Sequence, residues 1–331
     1  MWIECVPNVS EGQNQDLINE LVQTLENQRR THVLHVDSGE SAHRTVITFM
    51  VHEDDFISTG FAFFEKALSL IDMRNHKGVH PRMGAVDVFP VIPLNADEAK
   101  SLVKVNQLGE KLSEKLDLPI IFYEKSARKP GFENLAKARR SLEFFRGNPM
   151  KKNEWIDLGK DKSIEKTGIT ALGLRPPLIA FNLNLNTKNR ELAVYIAERL
   201  RTSGRMENGH RIPGLFQGLK CIGWYLEDQA RAQVSCNIVD HKKLDLFEFY
   251  KKASELAAEH GARITGSELI GLMPKAFLLK GNPFQGKEEH RLEKAVEFIG
   301  LENRENGLWK NRILEEVIQR KTNLTFDLSN W

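Results

Sequence analysis

The 331-residue sequence predicts an α+β fold: two ferredoxin-like units of βαββαβ order, with mixed or antiparallel sheets covered by helices. Three observations lead there. Apolar residues at helical spacing alternate with short apolar runs of strand character, giving the order βαββαβ in the first half. The same order restarts after Arg175-Pro176-Pro177, which predicts a boundary between residues 1–176 and 177–331. A hydrophobic content of 41% with 28% charged residues belongs to a globular chain of about two ordinary domains.

In the first unit, residues 2–7 read as a strand. Ser10-Glu11-Gly12 leads into a helix from about Asp16, with Leu17, Ile18, Leu21, Val22 and Leu25 on one face. Val33 to Asp37 and Arg44 to Val51 follow as strands around a polar turn. Glu53-Asp54-Asp55 places acids at the start of a helix to about Asp72, whose Phe56, Phe63, Ala67 and Leu70 form the apolar side. Val86 to Ile92 completes the order, and a helix over 96–116 and a strand over 120–123 extend it. The charged connection from Lys125 to Gly173 is expected to hold a helix from Glu133 to Phe145, a stop at Gly147-Asn148-Pro149, and irregular chain from Asp157 onward.

The second unit reads as strand 178–185, helix 189–200, strands 219–226 and 233–239, helix 246–259 and a short strand 263–265. Sequence identity between the halves is not evident, so only the architecture repeats. Amphipathic helices over 290–298 and 311–318 form a tail expected to cap a sheet.

Several function classes find no support. Net charge is +2, which gives no global field for nucleic acid or a membrane surface. No apolar stretch is long enough to span a bilayer, and Glu4 and Pro7 interrupt any signal-like core, so a cytoplasmic protein is expected. Cys5, Cys221 and Cys236 are odd in number and scattered, which reads as reduced, buried thiols. A phosphate-binding P-loop, a dinucleotide glycine fingerprint and a nucleophile elbow are all missing.

Chemistry concentrates in Asn75-His76-Lys77-Gly78-Val79-His80-Pro81-Arg82-Met83-Gly84-Ala85-Val86-Asp87, which runs from a helix into an apolar strand. Pro81 biases His80 towards extended backbone, and Gly78 and Gly84 relax the chain on either side. His76 and His80 have the spacing of a helical zinc pair, but Gly78 and Pro81 disfavour that helix and the accompanying Glu is missing, so no metal is expected. The turn Asp37-Ser38-Gly39-Glu40-Ser41-Ala42-His43-Arg44-Thr45 is either a polar hairpin or a site where Asp37 meets a substrate amine and Arg44 grips a carboxylate. The stretch 159–168 reads as a solvated charged loop, and Trp224-Tyr225 as core or interface.

The motif His76-Lys77-Gly78-x-His80-Pro81-Arg82-Met83-Gly84-Ala85-x-Asp87 resembles the signature of the formiminotransferase domain of folate-linked histidine-degradation enzymes. The likeness is collinear, from Glu4-Cys5-Val6-Pro7-Asn8-Val9-Ser10-Glu11-Gly12 to Gly266-Ser267-Glu268-Leu269-Ile270-Gly271-Leu272. It implies a transferase moving a formimino group from N-formimino-L-glutamate to tetrahydrofolate as co-substrate, with two ferredoxin-like subdomains enclosing the site and a homodimeric assembly. The family's catalytic histidine falls on His80. An imidazole of reference pKa ~6.5 suits proton transfer between two nitrogens at neutral pH. Asp37, Arg44 and Arg82 are the substrate-binding candidates.

The resemblance places folate on Gly159, Lys160, Lys162, Lys166 and Gly168. Here the sequence departs from the family, because Ile156-Asp157-Leu158-Gly159-Lys160 stands where Pro-Asp-Phe-Gly-Pro is usual. The aromatic that could stack on a pterin is replaced, and the lysines are candidates for a polyglutamate tail. His43 likewise stands where Asn is common. Two other functions fit the same resemblance: folate-dependent formyl transfer, and a non-catalytic folate-binding or regulatory homologue. An RNA-binding module, suggested only by the strand order, lacks the aromatic strand signature.

Overall fold

The computed structural model describes residues 1–77, 82–141, 155–227, 229–302 and 305–328. The chain divides into two compact units, Met1–Arg175 and Pro176–Trp331. Each is an α+β unit with its own sheet, mixed in the first and antiparallel in the second.

In the first unit the elements run β1 (Trp2–Cys5), β2 (Asn8–Val9), α1 (Gln15–Glu26), β3 (Thr31–Gly39), β4 (Arg44–His52), α2 (Phe56–Leu70), β5 (Val86–Pro93), α3 (Glu98–Lys115), β6 (Ile120–Phe122), α4 (Leu135–Ser141) and β7 (Thr170–Leu174). The expected first strand is broken in two between Cys5 and Asn8. Pro7, which has no N–H to give a ladder, sits in the gap. Both pieces pair antiparallel with β4 and with β5, so this strand lies in the middle of the sheet.

Caps explain why the helices start where they do. Asn14 accepts from the Leu17 N–H at 3.1 Å and Asp97 from the Lys100 N–H at 2.8 Å, each satisfying a donor the helix itself leaves orphaned. The acids before α2 act differently from the expectation. Asp55 turns to Arg30 Nε at 2.6 Å and makes no side-chain cap, and the Arg30 hydrogen bond holds its carboxyl below the usual range.

The odd-numbered face of β4 (Ile47, Phe49, Val51) packs with Leu21 of α1, Phe63 and Phe64 of α2 and Leu108 of α3 in one core. Even-numbered residues face the other way. There a second cluster joins Val88, Ile121 and Ala171 to Ala138 of α4 and to Phe132 and Ile156. Residues 157–173, expected to be irregular, end in β7, which lies between β5 and β6 and is parallel to both. Its Ala171-Leu172-Gly173 has little intrinsic strand preference. Gly173 is required because a Cβ there would stand 2.5 Å from the Tyr123 carbonyl oxygen. Of the helix expected from Glu133 to Phe145, Leu135–Ser141 is present, while its remainder and Gly147-Asn148-Pro149 lie outside the described residues.

In the second unit come β8 (Ile179–Leu185), α5 (Arg190–Leu200), the hairpin β9 (Arg205–Glu207) and β10 (His210–Ile212), β11 (Leu219–Leu226), β12 (Arg231–Ile238), α6 (Leu246–Ala258), β13 (Ile264–Ile270), α7 (Lys275–Leu279), α8 (Glu288–Phe298) and α9 (Leu314–Thr322). The sheet order is β11-β12-β8-β13. The hairpin turns at Asn208-Gly209, both at positive φ, a turn signal that sequence reading passed over. β13 reaches Ile270, beyond the expected Thr265, after a register shift between Ile264 and Gly266. Leu292, Ala295 and Val296 of α8 join the core of this unit, together with Ile299, Trp309 and Ile313.

One buried acid gives the first unit a pH dependence. Glu4 is 6% exposed in β1, and burial pushes its carboxyl up to about 7, against the opposing charge of Arg175. The neutral acid is therefore the form the fold accepts. Below the ordinary value of 4.5 it is protonated folded or unfolded, and stability is lost as pH rises towards and through about 7. Glu4→Gln should shrink that loss, with a ceiling of roughly 3 kcal/mol at 1.36 kcal/mol per pKa unit. Chemical denaturation at pH 5 and pH 8 checks it. An equal pH slope in wild type and variant would refute the assignment.

Candidate active site

Val86–Pro93 is buried along almost its whole length, and Asp87, 0% exposed, is its one charged residue. A carboxylate at such a place is tolerated only with full pairing. Asp87 Oδ1 accepts the Met83 N–H at 2.7 Å, and Oδ2 accepts from Arg44 Nη1 and from Arg139 Nη2. Arg44, itself buried, also donates Nε to Asn8 Oδ1 at 3.0 Å. Burial pushes the Arg44 guanidinium down to about 10; Asp87 opposes that, while Arg139 and Arg82 add to it. Three arginines thus crowd one carboxylate.

Next to this hub lies a pair of imidazoles. The rings of His43 and His76 stack 4.1 Å apart at 17°. His43 occupies the last position of the β3–β4 turn at φ 47, a left-handed conformation that Asn adopts readily and His tolerates. The departure from Asn at this position therefore keeps the backbone requirement and adds a ring. That ring reaches the Lys77 carbonyl with Nδ1 at 2.7 Å and Glu11 Oε1 with Nε2 at 3.1 Å. The same Glu11 oxygen accepts the N–H groups of Gly12, Gln13 and Asn14 at 2.8, 2.8 and 2.9 Å, bonds that hold its carboxyl below the ordinary value despite burial.

His76 is pushed down to about 4, first by burial and then by the charges of Arg82 and His43. Arg82 Nη1 donates to His76 Nδ1, which the neutral ring can accept. A neutral imidazole is thus held against the Arg82 guanidinium. The segment 78–81, with His80, lies outside the described residues. Its two borders are both fixed, the Lys77 carbonyl by His43 and the Met83 amide by Asp87.

The lysine loop approaches from the start of β7. Gly84 and Gly168 form a bridge so close that a Cβ on Gly168 would stand 2.2 Å from the Met83 carbonyl oxygen. Met73 N–H donates to the Lys166 carbonyl at 2.9 Å, Ala85 N–H to Thr167 at 2.8 Å, and Ile169 N–H to Met83 at 2.8 Å. Lys162 and Lys166, with Thr167, line an open cleft of about 420 Å³. Lys162 Nζ already pairs with Asp117 at 2.8 Å. Gly159, at φ 72, lies at the other end of the loop against Ser113 and the Leu118 carbonyl.

The residues expected to bind substrate are placed differently from one another. Arg44 and Arg82 are within the hub, and Asp37 stands on β3 with a carboxylate oxygen 3.1 Å from His35 Nε2. Sequence reading assigned no role to Asp87, Glu11 or Arg139. Asp87 was visible as an ionisable residue inside an apolar strand; Arg139 was hidden among Lys-Arg clusters.

Fold and site together define an α+β protein of two units with a cationic, imidazole-bearing loop anchored on a buried strand. Among the described residues no cluster of three or more His, Cys, Asp or Glu could hold a metal ion, and no helix is long and apolar enough to cross a membrane. Comparison with known proteins gives the family. The model for the formiminotransferase domain, N-terminal subdomain, matches residues 2–175, and that for the formiminotransferase domain matches residues 180–319. The chain belongs to the formiminotransferase domain family. It is 38% identical to a glutamate formimidoyltransferase of Streptococcus pyogenes serotype M1 over 84% of this chain and 90% of that protein. It is 28% identical to a glutamate formimidoyltransferase of Thermoplasma acidophilum over 97% and 99%. A formimidoyltransferase-cyclodeaminase of Rattus norvegicus is 37% identical over 96% of this chain, which spans 60% of that longer protein.

Proposed function

We propose that this chain is a glutamate formimidoyltransferase, moving the formimino group of N-formimino-L-glutamate to tetrahydrofolate in histidine degradation and one-carbon metabolism. The observation that carries this reading is the clamp on either side of residues 78–81. His43, itself bonded to Glu11, holds the Lys77 carbonyl, and Asp87 holds the Met83 amide, so the chain on either side of the segment bearing His80 is anchored. Acid-base catalysis is served by anchoring the chain that flanks the reacting group.

In the reaction, N5 of tetrahydrofolate attacks the amidine carbon and loses its proton. The bond from that carbon to the glutamate nitrogen then breaks, and that nitrogen gains a proton. His80 accepts the first proton and returns one to the leaving nitrogen. His76, held neutral, supports the loop without adding charge beside the amidinium. Arg44 and Arg82 supply positive potential for substrate carboxylates, and Lys160, Lys162 and Lys166 are the groups proposed for the folate tail, with Gly159 and Gly168 shaping their loop. Asp37 is the candidate carboxylate for the amidinium centre. A cytoplasmic homodimer completes the proposal.

The test mixes purified protein with formiminoglutamate and tetrahydrofolate, following glutamate release and the folate spectrum, with formylglutamate in a parallel run. Formimino-dependent glutamate release is expected, with formylglutamate the poorer donor. Folate binding without turnover of either donor would sink the catalytic reading.

A further inference from the structure

Among the described residues Arg139 makes one hydrogen bond. Its Nη2 donates to Asp87 Oδ2, and its Nε is buried with no hydrogen-bond partner. A buried guanidinium N–H left without an acceptor is expensive, and structures rarely keep one without use. Charge points the same way. The Asp87 carboxylate faces Arg44 and Arg139 on a single oxygen, and Arg82 is close enough to act on both Asp87 and Arg44 electrostatically. Among the described residues one negative charge therefore meets at least two guanidiniums, an excess of positive charge in a buried place. Arg44 has little left to offer, since Nε is on Asn8 and Nη1 on Asp87. Arg139 has 20% of its side chain exposed although Nε itself is covered, so a ligand reaches the side chain from outside and meets Nε only as that side chain shifts.

We infer that Arg139 is a ligand-binding residue that receives a carboxylate, the side chain shifting about its Asp87 bond so that the unused N–H gains an acceptor. Asp87 and Arg44 orient the guanidinium and supply the surplus charge. A carboxylate suits this site because the fork of Arg offers two parallel donors to a planar anion. The inference deepens the proposed function: the carboxylate belongs either to formiminoglutamate or to the glutamate of the folate.

The test uses the full chain. Calorimetric titration with L-glutamate and, separately, with tetrahydrofolate bearing one or five glutamates is run on wild type, Arg139→Gln and Arg139→Lys. If the donor's carboxylate is the ligand, L-glutamate affinity falls about tenfold or more in Arg139→Gln, with partial recovery in Arg139→Lys. KM for formiminoglutamate then rises while kcat moves much less. If the folate tail is the ligand, the same loss shows only in the folate titrations. Both results support a carboxylate site. Affinities within twofold of wild type for every ligand, in variants that melt cooperatively, overturn it.

A second measurement needs no variant. Phenylglyoxal modification of the wild-type protein, mapped by mass spectrometry, should be slowed at Arg139 by saturating L-glutamate or folate, and equal labelling with and without them refutes the inference. An Arg139-dependent carboxylate site in a protein with no formimino transfer would sink the proposed reaction and leave this inference standing. Transfer activity that survives Arg139→Gln with unchanged KM for both substrates would do the reverse.

Discussion

His80→Ala is expected to lower kcat by roughly a hundredfold or more, the scale of a lost general acid-base group, with binding of either substrate changed far less. His76→Ala should be much milder. The pH profile separates the two imidazoles. A free His80 of ordinary basicity gives an acid limb near ~6, below which the protonated ring can no longer accept a proton. His76 is held near about 4 and stays neutral through that range, so its titration would put the limb two pH units lower. Wild-type turnover in a folded His80→Ala variant, or an acid limb near pH 4, would transfer the role to His76.

The second large effect is on stability. Asp87→Asn keeps an acceptor for the Met83 amide and removes the one charge that, among the described residues, pairs with Arg44 and Arg139. Breaking a buried ion pair from one side costs about 3–5 kcal/mol, because the other charge is left uncompensated. Guanidinium denaturation should show a lower midpoint with an unchanged slope. Arg44→Met introduced alongside should restore part of the loss, since it removes one of the stranded cations. A single variant within 1 kcal/mol of wild type would show that the cluster is solvated enough not to need its anion.

Helices were legible in the sequence where apolar residues keep a helical period, as at Leu17, Ile18, Leu21 and Leu25, although the Asn14 cap went unread. β7 was not, because Ala171-Leu172-Gly173 becomes a strand through parallel pairing with β5 and β6, partners distant in sequence or separated by a crossover. The loop motif was plain from residue types alone, as were Arg44 and Arg82. The role of Arg139 depends on a carboxylate 52 positions earlier, a relation no local pattern contains.

The Gly84–Gly168 seam makes the histidine segment and the lysine loop a single mechanical part. Three backbone hydrogen bonds, from Met73, Ala85 and Ile169, cross between them, and neither glycine leaves room for a side chain that could act as a spacer. Parting the loops would break all of these bonds at once, so they open together or stay closed together. Whatever steadies one of them is thereby felt by the other without any third element as messenger.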